Sequence, residues 1–146
     1  MIIIGIDPDI DKSGVIEIIS QYPTHSLMML PLWEVFYLIS RWQDYGSNLH
    51  IVIEAGWKNK KGMAFSGGRM RAVRTGMNHA IGMQIEAFCE DRKLPYELFV
   101  PSDRTPKWDH EMMIKLTGMD VKKSNQEIRD AVRAVYFSGY GREVFK

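Results

Sequence analysis

The sequence predicts an α/β domain on a mixed five-stranded sheet, three antiparallel strands followed by parallel ones, with helices on both faces. Three observations carry that reading. Short β-branched runs open the chain and then alternate with longer segments of helical period, the pattern of a sheet covered by helices. The first three runs lie too close together for parallel crossovers. The 146 residues, 45% hydrophobic and 25% charged, suit a single domain, 1–146, around one core.

Ile2 to Ile6 is a continuous β-branched run, the mark of a strand buried on both faces, and Pro8, Asp9 and Asp11 stop it. Residues 14–20 read as a second strand and 26–30 as a third, after the Tyr22-Pro23 turn. Pro31 opens a helix whose apolar face is Leu32, Val35, Phe36 and Ile39, and Gly46 ends it. Leu49 to Glu54 is the fourth strand. Residues 56–75 show no periodicity and hold glycines at 62, 67 and 68, so they read as a long loop of the kind that is often functional. Met77, Ala80, Ile81, Ile85 and Phe88 give the stripe of a second helix, and Tyr96 to Val100 a fifth strand closed by Pro101. A third helix spans about 109–117. The last runs from about 125 to 138, with Ile128, Ala131, Val132 and Val135 on its apolar face and Gly139 as its stop.

No apolar run reaches the roughly 18 residues of a membrane span, so no membrane partner is expected. The opening residues lack the basic stretch of a secretory signal. A single cysteine, Cys89, excludes an internal disulfide and a cysteine-rich zinc site, and fits a reducing compartment such as the cytoplasm. The net charge of +1 hides an uneven distribution. Residues 1–54 carry seven acidic and two basic side chains, residues 55–85 six basic and no acidic, and residues 86–146 eleven of each. An acidic block followed by a basic one can build a negative pocket beside a positive rim, suited to metal ions and phosphates respectively.

The candidate chemistry lies in four acids. Asp7 and Glu54 each end a buried strand, where a sheet opens to solvent and α/β sheets place their ligands. If the first and fourth strands are neighbours, these carboxylates converge. Glu127 and Asp130 stand three apart, on one face of the last helix; acids near a helix start also serve its dipole. Converging carboxylates repel unless cations neutralise them, and all-oxygen ligands favour Mg²⁺ or Mn²⁺. Two such ions can activate a water and stabilise the leaving oxygen of a phosphodiester. In that arrangement Asp7 bridges both ions, Glu54 holds one, and Glu127 and Asp130 hold the other or position the water. Trp57, Lys58, Lys60, Lys61, Phe65, Arg69, Arg71 and Arg74 are the candidate nucleic-acid contacts. The cations would grip phosphates, and an aromatic would stack on an unpaired base or wedge a branch open.

The same residues carry a family resemblance. Ile4-Gly5-Ile6-Asp7-Pro8 resembles the opening strand of the RuvC family of Holliday-junction resolvases, and Ile51-Val52-Ile53-Glu54 its second motif. Gly76 to Gly82 resembles the small-residue start of the next helix, Val100-Pro101-Ser102 the following strand end, and Glu127-Ile128-Arg129-Asp130-Ala131 the final two-acid motif. The order and spacing hold over nearly the whole chain. The chain differs in having Asp9 where the family has glycine and Glu127 where it has aspartate. Lys115, Lys122 and Lys123 are the loose match to the family's basic residues before the last motif.

The resemblance implies a ribonuclease-H-like fold and a homodimer with two Mg²⁺ or Mn²⁺ ions per site. It implies symmetric cutting of four-way or other branched DNA, in the cytoplasm, that of a host if the protein is phage- or mobile-element-encoded. A related nuclease acting on RNA and a non-catalytic binder of branched DNA are the alternatives. Beside these, His79 follows the basic block and is a lesser candidate for touching phosphate or assisting a water. Cys89 faces inward with no activating partner.

Overall fold

The computed structural model describes residues 1–22, 24–59 and 68–145. Its elements are β1 (Ile2–Asp7), β2 (Ser13–Ile19), β3 (Thr24–Leu30), α1 (Leu32–Asp44), β4 (Leu49–Glu54), α2 (Gly68–Asp91), β5 (Tyr96–Phe99), α3 (His110–Thr117), α4 (Gln126–Phe137) and α5 (Gly141–Val144), with a short 3₁₀ turn at Gly56–Lys58. The sheet order is β3-β2-β1-β4-β5. β1–β2 and β2–β3 are antiparallel, while β1–β4 and β4–β5 are parallel. The expected mixed sheet is therefore present, with β1 central.

Alternation along the strands divides the core into two layers. Ile2, Ile4 and Ile6 of β1, with Leu49, Ile51 and Ile53 of β4, pack on Val35 and Ile39 of α1 and Ile81 and Ile85 of α2. Ile3 of β1, Ile16 and Ile18 of β2 and Val52 of β4 face α3 and α4 through Met113, Ala131, Val132 and Val135. Each fully buried aliphatic side chain contributes roughly 1.5–3 kcal/mol of transfer free energy.

Helix α4 lies unusually close to the sheet because the strands beneath it carry glycine. A Cβ on Gly5 would sit 2.8 Å from the Ala131 carbonyl oxygen. One on Gly14 would overlap the backbone carbonyl of Glu127 in the helix's first turn. The Asn125 side chain caps that turn, accepting from the Ile128 N–H at 2.9 Å.

Two expectations are corrected. Residues 68–75 are helical, not loop, so Arg69, Arg71 and Arg74 project from α2. The first turns of α2 are exposed on nearly all sides, Met70 and Val73 included, so no apolar stripe marked them as helix. Helix α4 ends at Phe137 with extended Ser138 as its cap, not at Gly139, and a further turn, α5, follows it. Lys60, Lys61, Gly62, Phe65 and Gly67 lie outside the described residues.

Candidate metal centre

β1 and β4 run side by side in parallel, with Ile6 opposite Ile53, so Asp7 and Glu54 leave the sheet together at its open end. The close approach of α4 brings Asp130 to the same point. One carboxylate oxygen each from Asp7, Glu54 and Asp130 lies within 4.8 Å of the others. The cluster forms the floor of a cavity of about 290 Å³ whose wall includes Pro8, Asp9, Trp57, Asn78, His79, Lys107 and Glu127. Glu127 thus borders the pocket but stands outside the tight triad.

Each acid is held differently. Asp130 is 95% buried by its side chain and ringed by donors. Gln126 Nε2 donates to its Oδ1 at 2.8 Å, and Arg133 Nη2 lies 3.4 Å from the same oxygen. Lys107 Nζ stands 3.7 Å from its Oδ2. Glu54 Oε1 accepts from Arg133 Nη2 at 3.4 Å, whereas its buried Oε2 has no hydrogen-bond partner. An orphaned, buried carboxylate oxygen facing two other carboxylates is the feature expected of a cation ligand, so the donor set fits a hard divalent metal such as Mg²⁺ or Mn²⁺.

Electrostatics agree. Burial first, then the charges of Glu54 and Asp130, hold the Asp7 carboxyl well above the ordinary carboxylate range. Burial and the charge of Asp130 push Glu54 up to about 7, against the opposing pull of Arg133. A raised folded-state pKa places the stability contribution at low pH. It is fully present below the unfolded value near 4.5 and lost as pH rises through about 7. The metal-free protein should therefore melt at progressively lower temperature from pH 4.5 to 7.5. Saturating Mg²⁺ should flatten or reverse that trend, because the metal binds the ionised form. Melting curves with and without chelator across this range check the expectation, and a chelated protein that becomes more stable toward pH 7.5 would contradict it.

The surroundings contain residues that the sequence did not single out. Arg133 lies wholly buried beneath the cluster, and Lys107, with a 70% exposed side chain, stands at its mouth. Lys115, Lys122 and Lys123 are not among the residues lining this cavity; Lys107 holds the basic position there instead. Asp9 proves to be an anchor. Its Oδ1 accepts from the Asp11 N–H at 2.8 Å and from Arg74 Nη2 at 3.5 Å. Its Oδ2 accepts from Asn78 Nδ2 at 3.3 Å, and Asn78 Oδ1 in turn accepts from the Ile10 N–H at 2.8 Å. Arg74 also donates to Asp11 Oδ2 at 2.6 Å. The turn after β1 is thereby fastened to α2, and Arg74, a candidate phosphate contact, is engaged within the protein.

Trp57 is half-buried and packs on Gly82 of α2, with its remaining surface on the cavity wall. Lys58 borders a separate surface cavity with residues 100–104, and Arg69 is exposed on α2. His79 lines the same cavity, and burial lowers its pKa. Cys89 is buried, with its thiol pushed up to about 12 by burial first and Glu86 second, which leaves it unreactive.

No family model matches the chain, and no curated protein matches it. Among solved structures it is similar to T. thermophilus RuvC in complex with Holliday junction substrate. The TM-score is 0.53 at 14% identity, over 97% of this chain and 95% of that one. The likeness is one of fold, and the fold is ribonuclease-H-like.

Proposed function

We propose that this protein is a metal-dependent endonuclease that cuts branched DNA, with the four-way junction as its principal substrate. The observation that carries the reading is the convergence of Asp7, Glu54 and Asp130, from two strands and a helix, within 4.8 Å at the floor of an open pocket. Carboxylates so close are costly unless a cation joins them. The likeness in fold to a RuvC solved with a Holliday junction supports the choice of substrate. The six basic and no acidic side chains of residues 55–85 supply a flank suited to phosphates.

Asp7, Glu54 and Asp130 would hold the metal, with Glu127 at the pocket edge as a further or water-mediated ligand. A bound Mg²⁺ or Mn²⁺ supplies Lewis acidity toward the phosphodiester and lowers the pKa of a nearby water. Lys107 presents its ammonium at the mouth, where a scissile phosphate would enter. His79 offers a proton acceptor on the cavity wall. Lys58, Lys60, Lys61, Arg69 and Arg71 are further candidate phosphate contacts. Paired cuts across a junction would require two such sites, and so a homodimer. The lone buried thiol suits the reducing cytoplasm; among the described residues no helix is long and apolar enough to cross a membrane.

The test is cleavage of a labelled synthetic four-way junction beside linear duplex and RNA–DNA hybrid, with Mg²⁺, Mn²⁺ or chelator. Paired symmetric nicks on the junction, absent in chelator, are expected. Preferential cutting of the hybrid would move the substrate to RNA, and tight junction binding without cutting would make the protein a binder. In the same assay Lys107→Ala should lower the cleavage rate by about 100-fold and leave the melting temperature unchanged. An unaltered rate would remove Lys107 from the site.

A further inference from the structure

The carboxylate cluster carries a cation of its own. Arg133 is 1% exposed and belongs to the second turn and a half of α4, facing inward. Its Nη2 lies 3.4 Å from Glu54 Oε1 and 3.4 Å from Asp130 Oδ1. Its Nη1 donates to the Thr105 carbonyl at 3.3 Å, and the guanidinium sits over the Phe99 ring, 5.7 Å from the centroid. Arginine does not lose its proton in proteins, so this charge is permanent.

The oxygens of the cluster are divided accordingly. Glu54 gives Oε1 to Arg133 and keeps Oε2 unpartnered. Asp130 gives Oδ1 to Arg133 and Gln126 and turns Oδ2 toward the exposed Lys107. Three ionised carboxylates and one guanidinium leave a formal charge of −2, which one divalent cation cancels. Glu127 and Lys107 offset each other at the rim.

We infer that Arg133 is a positioning residue serving as the resident counter-ion of the cluster: it holds Glu54 and Asp130 together in the metal-free protein and leaves Glu54 Oε2 free to face the metal. This rests on the metal-nuclease reading above and assigns the cohesion of the empty site to a residue that binds neither metal nor substrate.

The test needs no nuclease activity. The full chain is titrated with MnCl₂ by calorimetry without nucleic acid, and its melting temperature is measured in chelator and in Mn²⁺. The variants are Arg133→Met and the pair Arg133→Met with Asp130→Asn. The unaltered protein should take up Mn²⁺, and Arg133→Met should still do so. In chelator Arg133→Met should melt on the order of 10 °C lower, and Mn²⁺ should recover most of that loss. The paired variant, which returns the cluster to the unaltered formal charge of −2 without arginine, should regain stability in chelator even if Arg133→Met alone does not fold.

A loss that neither Mn²⁺ nor Asp130→Asn recovers would make Arg133 a packing residue only and overturn the inference. So would an Arg133→Met protein that melts at the same temperature as the unaltered protein in chelator. Absence of any Mn²⁺ uptake by the unaltered protein would overturn the metal reading along with it.

Discussion

Asp7→Asn is expected to abolish cutting, by on the order of 10³-fold, while raising the melting temperature of the chelated protein at pH 7.5. Asparagine keeps the size of the side chain but cannot ionise. In the unaltered protein, burial and the neighbouring charges of Glu54 and Asp130 raise the Asp7 pKa, so ionising it at neutral pH opposes folding. The stability difference should vanish only toward pH 3 and below, where Asp7 is protonated in the folded protein and largely so in the unfolded chain, whose carboxyl has the ordinary value 3.8. Excess Mg²⁺ should narrow or invert it, since only the unaltered protein retains the full ligand set. Junction cleavage and melting curves on the same preparation give both readouts. A variant less stable than the parent at every pH would show that Asp7 is a strand-end cap, and retained cleavage would remove it from the chemistry.

Gly14→Val should produce a large loss of stability. The new Cβ would overlap the Glu127 carbonyl and approach the Ile128 nitrogen to 2.7 Å. These are backbone atoms, and they cannot rotate aside as a side chain can. Helix α4 would have to lift from β1 and β2, at a cost of roughly 3 kcal/mol or more, and carry Asp130 away from Asp7 and Glu54. Denaturant unfolding should therefore show a lower midpoint, and Mn²⁺ affinity should fall with it. Gly76→Ala is the contrast: it lies inside α2 with nothing within 4 Å of the added methyl, and should be stabilising by about 0.5–1 kcal/mol. Equal effects at the two positions would show that close approach of α4 is not what Gly14 provides.

Residues whose role follows from local pattern were legible in the sequence. β1 and β4 are short β-branched runs ending in an acid, and their adjacency alone brings Asp7 and Glu54 together. Asp130 could be placed because it shares a face of α4 with the apolar stripe that docks on the sheet. Glu127 has the same spacing, but it lies in the first turn, at the pocket's edge. Arg133 was not legible. A charged residue inside an apolar helix face has no periodic signature, and its burial depends on Glu54, which is remote in sequence. The only local hint is its i, i+3 spacing from Asp130. Lys107 was missed for a related reason: it lies in the irregular segment before α3, and only the folded path of that segment turns it toward Asp130. The start of α2 was read as loop because periodicity reports a buried face, and those turns have none.

The arrangement of the cluster also bears on when the protein becomes competent during its synthesis. Asp7 and Glu54 are made early, but β4 is flanked by β1 and by the later β5, and Asp130 and Arg133 arrive only on α4. Contacts this distant in sequence close slowly and late. A ribosome-bound or truncated chain that stops before α4 would hold two of the acids without the third or the arginine beside it, so the three-acid cluster assembles only after α4 has been made.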